Sequence, residues 1–299
     1  MEAHGHTSPG TSRSSTEVIG GATATHSTAD YRETVGFDSG GRLVFETEPI
    51  GPSTATLIVA SSLFAEFQRN YRREVLLSRR AAAAGIRTLR CHYRGTGNSI
   101  ASDGPADLDS MSGDLRTLLD GVEGPVALLG TRVGAIAAAR ARATANIPLI
   151  LWEPVIRGDR WVEEVIRAAL AREIGQGTGV TADTIRSRWN DNGVAFVLGE
   201  TVPKAVVDQV AGSSLVDVID GPGPIQVVQM ARSDKIKADV ARLTESLGAR
   251  GVDVEVLPVV GSQAWWINEG GDLFRPVERD DAIDRLVDGI ITFVRKVCR

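Results

Sequence analysis

A short stretch framed by glycines, GTRVGA, occupies positions 130–135, between the apolar run VALL and an alanine-rich segment. At such a junction of strand and helix, the motif G-x-S-x-G forms a nucleophile elbow, which presents a serine on a tight turn. The central residue here is Arg132, and a guanidinium group cannot attack a carbonyl carbon. The stretch therefore has the form of a nucleophile elbow without a nucleophile.

Arg132 has more than one interpretation. An elbow would place it at a helix N-terminus, where backbone N–H groups and the helix dipole favour an anion. Its planar guanidinium would bind a carboxylate or a phosphate through two parallel hydrogen bonds, and the Val133 amide would complete the anion site. In the alternative, Arg132 pairs with Asp234, Glu66 or Glu153 and plugs the site. Direct use of Arg132 in catalysis is a third interpretation.

Two carboxylates near predicted strand ends are candidates for acid–base chemistry. Glu153 follows the run LILW, at the edge where open α/β sheets bind ligands. It is our best candidate for a general base, with a structural ion pair as the alternative. Glu66 is expected in a loop after the run TLIVA, as a general acid or base or as the partner of Arg69 or Arg132.

Further residues expected at the same edge are candidates for binding substrate. They share a loop position and a polar or aromatic side chain, and they are Ser62, Arg157, Ser262, Trp265 and Trp266. Arg157 would bind substrate charge or remain solvated. The tryptophans, together with Trp152, would wall an apolar pocket or belong to the core.

The elements that carry these residues alternate between strands and helices. The apolar runs TLIVA, PVALLG, PLILW and IQVVQM predict buried strands, and helical periodicity between them is clearest over residues 71–84 and 107–121. The fold class is therefore α/β, with a mostly parallel central sheet and helices on both faces. The runs YRETVGF and RLVFETE, joined by DSGG, predict an opening hairpin and an antiparallel strand at one edge.

The same pattern divides the chain into three parts. Residues 1–30 are rich in Ser, Thr and Gly and predict a disordered leader. Residues 31–154 and 219–299 form the predicted core. Residues 155–218 break the alternation with two helical segments and no strand between them, which predicts a cap inserted over the ligand-binding edge.

Composition excludes several classes of partner. The formal net charge is −5 and basic residues form no run, so no nucleic-acid partner is expected. Two cysteines, Cys91 and Cys298, are too few for a disulfide framework or a zinc site. No apolar run approaches the ~18 residues of a membrane span, and no signal peptide is evident. We expect a cytoplasmic protein without a cofactor or a metal site; metal binding by His4, His6 or His26 is disfavoured.

Over residues 31–298 the order of these parts resembles the α/β-hydrolase fold. HYRGTGNS resembles the D-x-R-G-x-G-x-S loop of that superfamily, with His92 in place of the aspartate. Within it the chain is similar to the exosortase A system-associated hydrolases. The stretches that carry this similarity are LFAEFQRNYRR, LLGTRVGA, LWEPVIRGDRWVEEVIRAALARE and GSQAWW. That subgroup also has an arginine in its elbow.

The resemblance implies a catalytic triad in the chain order nucleophile, acid, histidine. Asp234 stands in the place of the acid, Arg132 in that of the nucleophile, and Ser262 near that of the histidine. No histidine follows His92 anywhere in the chain. Without nucleophile and base, such a site keeps only the residual ~10³–10⁴-fold acceleration that binding and the oxyanion hole supply. Conventional serine-dependent hydrolysis is therefore not expected.

Two function classes remain. In the first, the protein is an enzyme of a bacterial biosynthetic pathway that performs cyclisation, elimination or acyl transfer on an acidic or acyl small molecule, with Arg132 as anion anchor. In the second, it is a catalytically inactive pseudo-hydrolase that serves as a binding or partner subunit. The expected ligand is a small molecule or a carrier-bound acyl chain, and a homodimer or a pathway partner protein is compatible with either class.

Overall fold

Strands and helices alternate along most of the chain in the computed structural model, which describes residues 19–100, 104–143, 145–261 and 281–299. The strands are β1 (Gly21–Ser27), β2 (Tyr31–Phe37), β3 (Leu43–Pro49), β4 (Ala55–Ala60), β5 (Ile86–Cys91), β6 (Val126–Thr131), β7 (Leu149–Trp152), β8 (Val194–Val197), β9 (Glu200–Pro203), β10 (Ile225–Ala231) and β11 (Val254–Val260). The helices are α1 (Phe64–Ala83), α2 (Leu108–Asp120), α3 (Gly134–Arg142), α4 (Gly158–Gln176), α5 (Ala182–Asn192), α6 (Lys204–Ala211), α7 (Leu215–Val218), α8 (Ala238–Ala249) and α9 (Asp281–Val297).

One large sheet dominates the described part of the chain, with the strand order β1-β2-β3-β5-β4-β6-β7-β10-β11. The pairs β1–β2, β2–β3 and β3–β5 are antiparallel, and the pairs from β5 to β11 are parallel. Parallel neighbours need crossover connections, which place helices on the faces of the sheet. The predicted α/β class with a mostly parallel sheet is confirmed, as is the antiparallel edge.

Alternate residues of the central strands enter two separate cores, one on each face of the sheet. Ile58 of β4 and Leu128 of β6 belong to the core that contains residues of α2, α3 and α8. Their neighbours Leu57 and Leu129 belong to the core that contains residues of α1 and α9. Because both faces are covered, the carboxyl ends of the parallel strands are the part of the sheet that remains for a site.

The leader begins to be ordered earlier than the sequence predicted. Residues 21–27, expected to be disordered, form β1 and pair with β2 in the register Thr25↔Thr34. This segment has no apolar pattern of its own, but β2 offers it a row of backbone hydrogen-bond partners. Residues 1–18 of the predicted leader, including His4 and His6, lie outside the described residues.

The segment expected as a loop after β4 is also different. Helix α1 begins at Phe64, so Glu66 lies in the first helical turn and not in a loop. The buried face of α1 includes Glu66, Asn70, Glu74 and Ser78, four polar residues at intervals of four. At the start of this helix the buried positions Glu66 and Asn70 are polar, so the apolar periodicity that predicted a helix over residues 71–84 is missing there.

Residues 155–218, the predicted cap, form α4, α5, the hairpin β8–β9, α6 and α7. The helices α4 and α5 correspond to the two predicted helical segments, whereas the hairpin and the two later helices were not predicted. Among the described helices, none combines the length and the apolar character that a membrane crossing requires.

Candidate functional site at the elbow

The stretch after β6 has the backbone geometry of a nucleophile elbow. Arg132 has a φ of +52°, in the left-handed region that residues with a side chain rarely adopt. A Cβ atom on Gly130 would lie 2.4 Å from Cα of Ala135, and one on Gly134 would lie 2.2 Å from the carbonyl oxygen of Ala60. Glycine is therefore required on both sides of Arg132, because β4, β6 and α3 approach each other closely at the turn.

The Arg132 guanidinium is buried and bound by two carboxylates. Its Nε donates to Glu66 Oε1 at 2.8 Å, its Nη2 to Glu164 Oε2 at 2.7 Å, and its Nη1 to the backbone oxygen of Glu153 at 3.3 Å. Burial by itself would lower the pKa of Arg132, but Glu66 and Glu164 outweigh it and the pKa is raised. Arg132 is a permanent cation inside an ion-pair network.

The Glu66 carboxylate is saturated with donors. Besides Arg132, it accepts hydrogen bonds from the Ser62 hydroxyl and from Trp161 Nε1, the latter at 3.2 Å. Its side chain is 1% exposed, and that of Glu164 is 42% exposed. Glu66 therefore holds Arg132 from the protein interior, while Glu164 does so from the solvent side. A carboxylate this fully engaged is poorly placed to exchange protons with a substrate.

Glu153 immediately follows β7 and also has a left-handed backbone, with a φ of +45°. Its carboxylate accepts a hydrogen bond from the backbone N–H of Met230 at 2.5 Å and lies 3.2 Å from Lys237 Nζ. Strained backbone positions cluster at functional sites in proteins. Glu153 is the predicted carboxylate that both lines a cleft at this edge of the sheet and has a cationic side chain beside it.

A cleft of about 450 Å³ opens at the carboxyl ends of β6, β7 and β10, between the N-terminal turns of α4 and α8. We call it the elbow cleft. Among the described residues, its lining has more basic than acidic side chains: Arg132, Arg157, Arg160, Lys237 and Arg242 against Glu153, Glu164 and Asp239. Counted over the lining side chains alone, two positive charges are in excess, whereas Glu66 and Asp159 pair with Arg132 and Arg157 from outside the lining. Both helix N-termini add positive potential. The elbow cleft is electrostatically suited to an anion.

Two of these cations are not engaged. Arg160 and Arg242 are exposed, and neither has a hydrogen bond or an ion pair with any described residue. Arg157 is also exposed but pairs with Asp159 at 2.5 Å, within the first turn of α4. Arg160 and Arg242 are therefore available to a ligand without first breaking a bond.

The structure separates the other predicted site residues. Ser62 and Val133 are buried and do not line the elbow cleft, and Asp234 is exposed in the loop after β10, also outside the described lining. Trp152 is fully buried and belongs to the core, so it does not wall a pocket. Ser262, Trp265 and Trp266 lie outside the described residues.

Three residues of the site were not predicted from the sequence. Glu164 and Trp161 bind the Arg132–Glu66 pair from α4, and Lys237 pairs with Glu153 from the N-terminus of α8. Trp161 and Glu164 stand three positions apart on one helix face, a spacing that indicates a shared surface. Lys237 gave no comparable signal, because its position depends on the loop after β10.

Ser61, Cys91 and His92 lie near this edge of the sheet, but they do not replace the missing nucleophile and base. The Ser61 hydroxyl donates to Glu74 at 2.6 Å. His92 Nδ1 accepts from the backbone N–H of Asn98 at 3.2 Å, and its Nε2 has no hydrogen-bond partner in the described structure. Cys91 is buried and unpaired, and burial raises the pKa of its thiol to about 12. None of these contacts couples a nucleophile to a histidine.

No protein-family model matches this chain, and no curated protein sequence matches it either. Solved structures do match. Est1E from Butyrivibrio proteoclasticus with bound ferulic acid is 13% identical over 90% of this chain and 99% of Est1E, with a TM-score of 0.58. A mutant esterase is 18% identical over 91% of this chain and 86% of its own, with a TM-score of 0.55. A hypothetical protein from Pseudomonas aeruginosa is 12% identical over 98% and 100% of the two chains, with a TM-score of 0.53.

Sequence identities this low indicate a shared fold but not a shared activity, which has to be argued from the residues of the site. The mostly parallel sheet, the elbow after β6 and these structural neighbours agree with one another. The chain has the α/β-hydrolase fold.

Proposed function

We propose that this protein binds a small carboxylate-bearing molecule in the elbow cleft and does so without a serine nucleophile. The observation that carries the proposal is the excess of two positive charges in the described lining, including the unengaged Arg160 and Arg242. A cleft lined by one sign of charge concentrates ligands of the other sign. A small dicarboxylate, or an acyl group attached to an acid, matches this excess.

Arg132 binds the ligand when the ligand carboxylate replaces the Glu164 carboxylate as its partner. Glu66 is buried beneath it, whereas Glu164 reaches it from the solvent side with a partly exposed side chain. In the proposed complex, a ligand carboxylate replaces Glu164 at Arg132 Nη2, and Glu164 moves into solvent. Arg132 then anchors the anion as a charged donor pre-positioned by Glu66.

The proposal departs from the activity named for some structural neighbours. Est1E and the mutant esterase share the fold, but the centre of the elbow in this chain is Arg132, and no histidine follows His92. The general base of a serine hydrolase removes the proton of the nucleophile, so a site without either group has lost both partners of that step.

Chemistry on the bound ligand is a second candidate function, favoured by one observation. Glu153 has a strained backbone, lines the elbow cleft and has Lys237 Nζ beside its carboxylate. In this candidate Glu153 is a general base for cyclisation, elimination or acyl transfer on an acidic or acyl substrate. If the protein only binds its ligand and performs no chemistry, it is a pseudo-hydrolase that holds the ligand for a partner. The resemblance of LLGTRVGA and the other quoted stretches to exosortase A system-associated hydrolases is the ground on which we infer a bacterial biosynthetic role for either.

Titration calorimetry with succinate tests the binding proposal, with dimethyl succinate as the neutral control. We expect succinate to bind at least tenfold more tightly than the diester, because a charge-assisted hydrogen bond contributes about 1.5–3 kcal/mol. Replacement of both Arg160 and Arg242 by Met should weaken succinate binding and leave the melting temperature unchanged, since both side chains are exposed and unengaged.

Equal affinity for succinate and the diester would refute the proposal, as would succinate binding that the double substitution leaves unaffected. Glu153→Gln separates the two candidates. If the wild type turns over an acyl or acidic substrate and Glu153→Gln loses this turnover but still binds, the protein is an enzyme. If the wild type binds such molecules but turns none of them over, the protein is a pseudo-hydrolase.

A further inference from the structure

A second cavity, of about 580 Å³, lies between α1 and the side of the sheet formed by β1, β2, β3 and β5. We call it the α1 cavity. It shares no lining residue with the elbow cleft within the described chain. Its volume is in the usual range of small-molecule sites.

The floor of the α1 cavity contains a buried arginine that forms no ion pair with a described carboxylate. Arg90 of β5 is 4% exposed, and its guanidinium makes no hydrogen bond or ion pair with any described residue. Its guanidinium carbon lies 5.1 Å from the ring centre of Phe45 and 5.3 Å from that of Tyr71. Arginine keeps its positive charge in proteins, so a full charge is buried here.

The aromatic neighbours satisfy only part of what this group needs. Phe45 and Tyr71 provide cation–π contacts, but N–H groups also require acceptors, and a buried charge without them is unfavourable. The buried acid on the adjoining face of α1, Glu74, accepts hydrogen bonds from Ser61 at 2.6 Å and Asn70 at 3.0 Å. Burial raises the pKa of Glu74 and the charge of Arg90 acts in the opposite direction, so the two groups interact electrostatically, but no hydrogen bond or ion pair joins them.

The two carboxylates that line the α1 cavity, Glu33 and Glu46, are already paired. Arg79 pairs with Glu33 at 2.8 Å, and Glu46 pairs with Arg87. Among the described residues, Arg90 is thus the buried cation of this cavity that no carboxylate contacts directly, and Glu74 interacts with it only at longer range. A ligand with a single negative charge compensates it, whereas a dianion would also meet the carboxylates of Glu33 and Glu46.

We propose that the α1 cavity is a binding site for a monocarboxylate with an apolar body. The carboxylate accepts hydrogen bonds from the Arg90 guanidinium, which binds two oxygen atoms in parallel. The apolar body lies against Val35, Val75 and Leu76, which line the same cavity. The proposal is independent of the function proposed for the elbow cleft.

The test is titration calorimetry of the full chain with octanoate, compared with 1-octanol, which has the same body and no charge. We expect octanoate to bind at least tenfold more tightly. Arg90→Met should lower octanoate affinity by about ten- to a hundredfold and change octanol affinity little, because it removes a charge-assisted hydrogen bond and keeps an apolar side chain. Val75→Trp, which fills the cavity from α1 and leaves Arg90 in place, should weaken both ligands.

Arg242→Met removes a cation of the elbow cleft and leaves the α1 cavity intact, so octanoate bound in the α1 cavity should keep its affinity. Octanoate affinity that survives Val75→Trp would overturn the proposal, even if Arg90→Met fails to fold. A loss of octanoate binding in Arg242→Met would also overturn it, because the ligand would then occupy the elbow cleft. Succinate binding is measured separately, so failure at one site leaves the other site's result intact.

Discussion

Arg132 and Glu153 end neighbouring strands in the same left-handed backbone conformation, with φ angles of +52° and +45°. They are joined by a hydrogen bond from Arg132 Nη1 to the Glu153 carbonyl oxygen at 3.3 Å. Two non-glycine residues in a region that sterics disfavour are held there by the structure around them. The pair places a cation and a carboxylate side by side along the floor of the elbow cleft.

Loss of the Arg132 charge should destabilise the fold. Arg132→Ala leaves the Glu66 carboxylate buried without its cation, which costs about 3–5 kcal/mol of unfolding free energy. Urea unfolding measures this loss. Arg132→Lys should recover only part of it, because an ammonium group cannot reproduce the planar donor set. The double variant Arg132→Met with Glu66→Gln removes both charges and should regain most of the stability. A loss below about 1 kcal/mol in Arg132→Ala would contradict the ion-pair interpretation.

Glu164→Gln should strengthen ligand binding at little cost in stability. The Glu164 side chain is 42% exposed, and ion pairs on the surface contribute about 0–1 kcal/mol. Removing its charge frees Arg132 Nη2 for a ligand carboxylate, so succinate affinity should rise several-fold in calorimetry. Glu163→Gln is the control, because Glu163 is exposed on the same helix and pairs with Arg186 instead. An equal rise in both variants would point to net charge alone.

Fluorophosphonate probes should not label the protein under conditions that fully label a serine esterase. The Ser61 and Ser62 hydroxyls donate hydrogen bonds to Glu74 and Glu66, and no histidine follows His92 in the chain. For the same reason, Arg132→Ser should restore the serine of the motif without restoring reactivity. Mass spectrometry of the labelled protein decides the matter. Stoichiometric modification of Ser61 or Ser62 would show an ordinary hydrolase with a displaced nucleophile.

Stability should fall on mild acidification because of His92. Burial and the nearby charge of Arg90 lower the pKa of His92 from its ordinary value of 6.5, so the unfolded chain binds more protons near that pH. The contribution of neutral His92 to the unfolding free energy is present above pH 6.5 and is lost as the pH falls through 6.5 towards the folded-state pKa. Chemical unfolding at pH 7.5 and 5.5 should show a smaller loss in His92→Gln than in the wild type. An identical pH dependence in both proteins would argue against this assignment.

The sequence predicted those helices and strands whose apolar pattern and end signals lie within the element itself. The helix expected over 107–121 is α2, with Asp107 as its N-cap and Gly121 as its C-cap, because capping chemistry is local. The elbow was also predictable, since the glycines at 130 and 134 mark a close turn between strand and helix. The start of α1 was not, because Glu66, Asn70 and Glu74 turn a polar stripe inward and hide the helical period.

The sequence by itself therefore determined the fold class and the place of Arg132 at the end of a strand, because both depend on apolar spacing and turn residues within short windows. Tertiary structure alone decided which acids hold Arg132, since Glu66 and Glu164 come from α1 and α4, 66 and 32 positions away. It also decided that Arg90 is buried without a hydrogen bond or an ion pair among the described residues. Charge pairing depends on distances in space, and chain folding sets those distances only after every element has packed.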